Sequence, residues 1–431
     1  MPRNRLDAMS PSEANDAPAP VQLLSPSGEV VESAAADEFR PYVDALGDDD
    51  LRALHRDMVL TRRFDREAAA LARQGQLALW VPSHGQEGAQ VGLAHATRPQ
   101  DHLFPSYREH AVALSRGIDP VDILRLLRGH THGGWNPAEH QNFHIYTLVI
   151  GSQTLHATGF AMGLGLDGKS GTGDPEVDQA VVTFFGDGAT SQGDVSEALV
   201  FAASFQTPEL FFLQNNQWAI SVPVARQSRT PLVARAGGFG IPGTQVDGND
   251  VLASYAVSRR DLEAARGGSG PRFIEALTYR VGAHTSSDDP TKYRTDDELQ
   301  SWIARDPITR FEAFLRNRGE GDAFFADLET EGDDLGADVR RRTVSLPNPD
   351  RGLIFDHVYS EPHPLMVEQK QWLATYEQSF GSALWGFDPE EGKDLIASRT
   401  GKLGLQQVIL SPRHLTEHIV SMGFHLCGIN L

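Results

Sequence analysis

The chain has 431 residues, of which 40% are hydrophobic and 22% charged, enough apolar material to bury at least one large core. With 38 basic against 58 acidic residues its formal charge is -20, which repels nucleic acid and anionic membranes and leaves any phosphate ligand dependent on a local site. Cys427 is the only cysteine, which excludes an internal disulfide framework and a cysteine-rich zinc centre, and the sequence holds no apolar run of the roughly 20 residues that span a bilayer.

In chain order, residues 1–38 are rich in Pro, Ser, Ala and acids and read as a disordered tail. The first twenty residues lack the apolar core of a secretory signal, so the expected location is the cytoplasm. From Asp48 an acidic start, apolar Leu51, Leu54, Met58 and Leu60, and a stop at Gly75 predict an amphipathic helix. The histidines of "GHTHGGWNPAEHQNFHIY" invite a metal reading, because His140 and His144 are spaced like helical ligands. The Gly pair, Trp135 and Pro137 make this segment a loop, with a substrate-pocket or structural role in which His144 faces the site. Gly163–Ser170, "GLGLDGKS", satisfies the phosphate-loop pattern, yet helix-like sequence precedes it and Gly and Pro break any helix after it, so Lys169 reads as a loop residue.

From residue 180 the pattern alternates: "AVVTFF" as strand, "SQGDVSEALVFAASF" as helix, "LFFLQ" and "PRFIEALTYRV" as strands. Short continuous apolar runs separated by helices predict an α/β fold, a mostly parallel sheet with helices on both faces. One domain is expected over residues 39–378, followed by a carboxyl-terminal extension, 379–431, with no assigned role and low order from about residue 381.

Gly186-Asp187-Gly188 falls where a parallel strand ends and a helix begins. In open α/β sheets ligands bind off the carboxyl ends of strands, glycines permit close approach, and a carboxylate supplies a hard oxygen for magnesium. Asn215-Asn216 closes the next predicted strand, which places an amide oxygen at the end of a neighbouring strand. A carboxylate, an amide oxygen and one backbone carbonyl give magnesium three protein ligands and leave positions for phosphate oxygens and water.

"GDGATSQGD...QNNQWAIS" resembles the thiamine-diphosphate motif. Together with "LWVPSHGQEGAQVG", "FPSYREH", "GSQTLHATGFAMGLGL", "GIPGTQVDGND" and "YRVGAHTSSDDPTKYR", it resembles, in order, the α chain of the E1 component of 2-oxo acid dehydrogenases. The resemblance implies a thiamine-diphosphate-binding fold carrying the diphosphate half of the site. It implies Asp187, Asn216 and the Trp218 carbonyl as Mg2+ ligands, with Gly186, Gly188 and Ala189 lining the diphosphate and Tyr107 and Arg108 gripping it. Leu148 and Ile150 would line the cofactor near its central bend. His284 would be the active-site histidine beside diphosphate and substrate, with His144 as a second catalytic candidate.

Gln214 departs from the family pattern, since some branched-chain relatives place an arginine there, so Arg280 or Arg108 is expected to carry more of the phosphate contact. The implied activity is oxidative decarboxylation of a 2-oxo acid, pyruvate or branched-chain, with acyl transfer to the lipoyl group of an E2 transacylase. The implied partners are an E1 β subunit in an α2β2 tetramer and E2. An acetoin dehydrogenase-type α chain and a noncatalytic paralogue remain as alternatives.

Overall fold

In the computed structural model of the chain, residues 19–131, 134–347 and 352–378 are described here. The chain divides into two units, residues 1–349 and residues 350–431. Among the described residues the first contains seven strands: β1 (His102–Phe104), β2 (Val181–Gly186), β3 (Glu209–Asn215), β4 (Trp218–Ala219), β5 (Val222–Pro223), β6 (Gly243–Asp247) and β7 (Arg272–Leu277). Five form one sheet in the order β1-β2-β3-β7-β6, every neighbouring pair parallel, while β4 and β5 make a separate antiparallel hairpin.

The predicted strands are apolar without alternation because both faces of the sheet are covered. Side chains still alternate in direction. Val182, Phe184, Leu210, Phe212, Ile274 and Ala276 join a core with residues of the helices Glu87–Ala96 and Val251–Arg266. Phe185, Phe211, Leu213 and Phe273 pack with Val195, Leu199 and Ala202 of the helix Gly193–Phe205 and with Leu232 and Ala236. The helix predicted from Asp48 runs Asp48–Arg73, buries Leu51, Leu54, Met58 and Leu71, and is followed by Gly75 at φ +74°. Leu60 on the same helix is half-buried.

The expectation of a disordered tail through residue 38 is corrected for residues 19–38; residues 1–18 lie outside the described part. Val21 donates to the Gln245 carbonyl and accepts from Asp247 N–H, both at 2.9 Å, so the segment extends the sheet beyond the edge strand β6. Asp250 accepts from the N–H groups of Leu23 and Leu24 at 2.7 and 2.6 Å, and a helix follows at Ala34–Asp44 with Phe39 buried. An edge strand offers a row of unpaired backbone groups, and three buried apolar residues, Val21, Leu23 and Leu24, are enough to hold the segment against it. Composition averaged over the first 38 residues hides so short a run. The extension from residue 379 lies outside the described residues.

"GLGLDGKS" begins inside the helix Ser152–Leu166 and turns at Gly168 (φ +64°), leaving Lys169 exposed. Helix before loop is the reverse of the strand-loop-helix order that a phosphate loop requires.

At the start of β3, away from the carboxyl ends of the strands, Glu209 is fully buried and accepts from Thr183 Oγ1 at 2.6 Å and Thr158 Oγ1 at 3.2 Å. Burial pushes its carboxyl up to about 8. A carboxyl raised above its unfolded value contributes stability that is complete below the unfolded pKa and is lost as pH rises through the folded one. The Glu209→Gln variant, which cannot ionise, is therefore expected to gain on the parent chain as pH rises from about 4.5 to about 8, with a constant difference above that. Denaturant midpoints across that range measure the difference; parallel pH profiles would refute it.

Candidate active site

One cavity of about 260 Å³ lies at the carboxyl ends of β2 and β3, bordered by Gly186 and Gln214 and by residues that follow the two strands. Its wall includes Tyr107, Arg108, Ile150, Gly186, Asp187, Gly188, Ala189, Asn216, Trp218 and His284. β2 ends in Gly186, and Asp187 opens a short 3-10 turn, Asp187–Ser191, before the helix Gly193–Phe205 begins. The Asp187 carboxylate is 1% exposed, accepts from Gln227 Nε2 at 2.8 Å, and is held above the usual carboxylate range by burial. A Cβ added to Gly188 would lie 2.8 Å from Ala219 Cβ, so only glycine lets this turn meet the chain that follows β3.

The two asparagines divide their work. Asn215 Nδ2 donates to Glu275 Oε1 at 2.7 Å and ties the end of β3 to β7, whereas Asn216 lines the cavity. Beyond them Gln217 (φ +73°) and Ile220 (φ +53°) lie in the left-handed region, which is costly for a β-branched isoleucine. Arg280 holds this segment. Its NH1 donates to the Trp218 carbonyl at 2.9 Å and its NH2 to the Ile220 carbonyl at 2.7 Å. Arg280 is fully buried and is absent from the cavity wall, so the structure gives it a backbone-clamping position. Arg280→Ala leaves two carbonyls without their donor and is expected to destabilise the chain by about 2–4 kcal/mol. A melting temperature unchanged from the parent would contradict that.

Arg108 is buried at the cavity and donates to the carbonyls of Pro82 and His284, the latter at 3.1 Å. His284 Nδ1 lies 3.3 Å from Arg108 NH2 and 3.4 Å from Arg280 NH1. Guanidinium groups only donate, so Nδ1 is the acceptor and Nε2 carries the proton. Burial, then the charges of Arg108 and Arg280, push the His284 imidazole down to about 4 and keep it neutral. The His284 N–H donates to Asp288 Oδ2 at 2.7 Å, which anchors the loop carrying it.

Two sequence candidates stand elsewhere. Leu148 is 58% exposed and outside the cavity wall. His144 stacks on Phe104, ring centroids 3.8 Å apart, with Nε2 3.3 Å from His102 Nδ1, and it does not line the cavity. His140 closes the 3-10 turn Pro137–Glu139, and among the described residues no cluster of three or more His, Cys, Asp or Glu could hold a metal.

Sequence reading missed Gln86, Ser106, Glu109, Gln153 and Gln214 as cavity residues. Gln214 Nε2 donates to the buried Glu109 at 2.6 Å, and its Oε1 accepts from Gln90 Nε2 at 2.9 Å. The motifs "SHGQEG" and "SYREH" contain Gln86 and Glu109, but only the approach of their loops to β2 and β3 shows which side chains reach the cavity.

This fold and site define an α/β enzyme whose ligand cavity opens at the carboxyl ends of a parallel sheet. The family described as "Dehydrogenase E1 component" matches residues 55–323. The chain is 44% identical over 356 residues to the 3-methyl-2-oxobutanoate dehydrogenase subunit alpha of Mycobacterium tuberculosis, covering 82% of this chain and 93% of the relative. It is 41% identical over 301 residues to the pyruvate dehydrogenase E1 component subunit alpha of Bacillus cereus, covering 69% and 77%. The corresponding Bacillus subtilis subunit is 39% identical over 300 residues, covering 69% and 76%. The chain belongs to the dehydrogenase E1 component family, as a 2-oxo acid dehydrogenase E1 α subunit and hence an oxidoreductase. Membership implies thiamine diphosphate dependence in general, and a complex with E1 β and E2 components. Among the described residues no helix is long and apolar enough to cross a membrane.

Proposed function

We propose that the strand-end cavity holds the diphosphate of thiamine diphosphate with Mg2+, and that the chain works in the cytoplasm as the α half of an α2β2 E1 that passes its acyl group to the lipoyl arm of E2. The observation that carries this reading is the gathering of Asp187, Asn216, Arg108 and His284 around one cavity. The residues fit the group. A carboxylate, an amide oxygen and the Trp218 carbonyl are hard oxygen donors of the kind Mg2+ prefers. Tyr107 and Arg108 supply a phenol and a guanidinium for phosphate oxygens. Gln86 Nε2 is buried at the cavity wall without a partner among the described residues.

When bound, thiamine diphosphate supplies the carbon nucleophile and the electron sink for loss of carbon dioxide from a 2-oxo acid. Asp187, Asn216 and Trp218 would hold the cation, and the backbone at Gly186, Gly188 and Ala189 would line the diphosphate. His284, neutral and with its proton on Nε2, would donate to negative charge developing on the substrate. Ile150 supplies an apolar wall, and exposed Leu148 (58%) and Val149 (71%) beside it suit cover by the β subunit.

A branched-chain 2-oxo acid is the substrate favoured by the comparisons, because likeness to the 3-methyl-2-oxobutanoate enzyme extends over 82% of this chain against 69% for the pyruvate enzymes. The test is to co-purify the tagged chain from its own cells and measure reduction of an artificial acceptor with 3-methyl-2-oxobutanoate, pyruvate or acetoin, with and without thiamine diphosphate and Mg2+. Cofactor-dependent turnover with a β-like partner supports the proposal. Preference for acetoin would favour the acetoin-type alternative, and cofactor binding without turnover the noncatalytic one.

A further inference from the structure

Gln86 sits immediately before the helix Glu87–Ala96 in the N-cap position, yet its side chain caps nothing there. It is 1% exposed and lines the cavity instead. Gly85 brings it there. At φ +97° a Cβ on Gly85 would lie 2.3 Å from the Tyr279 carbonyl oxygen, so the loop can approach the chain after β7 only through a glycine.

The direction of the Gln86 carboxamide is fixed by a backbone group. Trp218 N–H donates to Asn216 Oδ1 at 3.3 Å, which leaves Asn216 Nδ2 to donate to Gln86 Oε1, also at 3.3 Å. A backbone N–H cannot accept, so this chain of bonds orients both amides and makes Nε2 the outer end of Gln86. That nitrogen is buried and has no partner among the described residues. Buried donors are nearly always paired, and one left unpaired at a cavity wall points to a ligand acceptor.

The surrounding charges say which acceptor. Gln214 is committed to Glu109 and Gln90, and Arg280 to two carbonyls, leaving Arg108 as the guanidinium in the cavity wall among the described residues. An anion as highly charged as a diphosphate needs more donors than one arginine and one phenol.

We propose that Gln86 is a positioning and binding residue of this site: its Oε1 holds Asn216 in the orientation used for the cation, and its Nε2 donates to a diphosphate oxygen. This inference rests on the cofactor reading above, and the test separates the two. The chain co-purified with its β partner is titrated calorimetrically with thiamine diphosphate, and separately with inorganic pyrophosphate, over a range of Mg2+ concentrations. The parent protein is compared with Gln86→Glu, Gln86→Met and Asp187→Asn, and melting of each unliganded variant reports its folding.

Gln86→Glu keeps the acceptor for Asn216 and loses the donor. It should bind both phosphate ligands about 10- to 100-fold more weakly without a higher Mg2+ requirement. Gln86→Met loses both functions, so its affinity falls and its half-saturating Mg2+ rises. Should Gln86→Glu fail to fold, the joint loss of phosphate affinity and Mg2+ response in Gln86→Met still decides. Folded variants that bind both phosphate ligands within twofold of the parent, or a folded Gln86→Met whose half-saturating Mg2+ equals that of the parent, overturn the role of Gln86. A parent protein that does not bind thiamine diphosphate, or an Asp187→Asn variant that binds it normally, overturns the cofactor reading itself.

Discussion

Asp187→Asn is expected to lower the affinity for thiamine diphosphate in Mg2+ by roughly a thousandfold, about 4 kcal/mol, and to reduce turnover with it. Asp187 is the one carboxylate in the proposed cation set, and asparagine keeps its size while removing the charge that offsets a divalent ion. Its burial strengthens the effect, because at 1% exposure water cannot replace the lost oxygen charge. The neighbouring contact with Gln227, 2.8 Å from Oδ2, can be kept by the amide oxygen, so the fold should survive. Isothermal titration and thermal melting measure the two quantities separately. A variant that binds the cofactor as the parent does would remove Asp187 from the cation site.

Removal of His284 should act on a different quantity. His284→Ala is expected to lower kcat by roughly 10²- to 10³-fold while changing cofactor affinity by less than about tenfold. The reason lies in the tautomer. Arg108 and Arg280 both face Nδ1, at 3.3 and 3.4 Å, so the imidazole presents a neutral N–H from Nε2. The imidazole titrates at about 4, so in the unliganded enzyme it stays neutral across the physiological range and acquires charge only as pH falls toward 4. A histidine titration followed by NMR on the cofactor-free protein should accordingly show no transition near the ordinary value of about 6.5 that disappears in His284→Ala. A loss expressed entirely in cofactor affinity would make His284 a binding residue alone.

Much of this site is legible without coordinates. Asp187 and Asn216 end two consecutive apolar runs, and once those runs are parallel neighbours in one sheet their ends must lie side by side. Tyr107, Arg108, Ile150 and His284 stand out only by resemblance to the family, and all line the same cavity. His144 and Leu148 stand out by the same resemblance, but neither lines it. The ring of His144 found a better partner in Phe104, a preference for stacking that sequence spacing does not express. Arg280 illustrates the same limit. An arginine near a phosphate motif reads as a phosphate ligand, yet two carbonyls of the strained 217–220 segment claim its guanidinium.

The α/β alternation, the helix from Asp48, and the acid and amide at adjacent strand ends depend on local periodicity and order along the chain. Those features follow from apolar runs of fixed length and from glycines at turns, both written residue by residue. Long-range packing settles that Val21 extends the sheet edge, that Gln214 turns to Glu109, and that Gln86 comes to the cavity wall with a nitrogen unpaired among the described residues. Each of those outcomes is a competition among buried polar groups far apart in sequence for a limited set of partners. It is resolved by which groups folding brings within hydrogen-bond distance, and no single stretch of chain contains both sides of it.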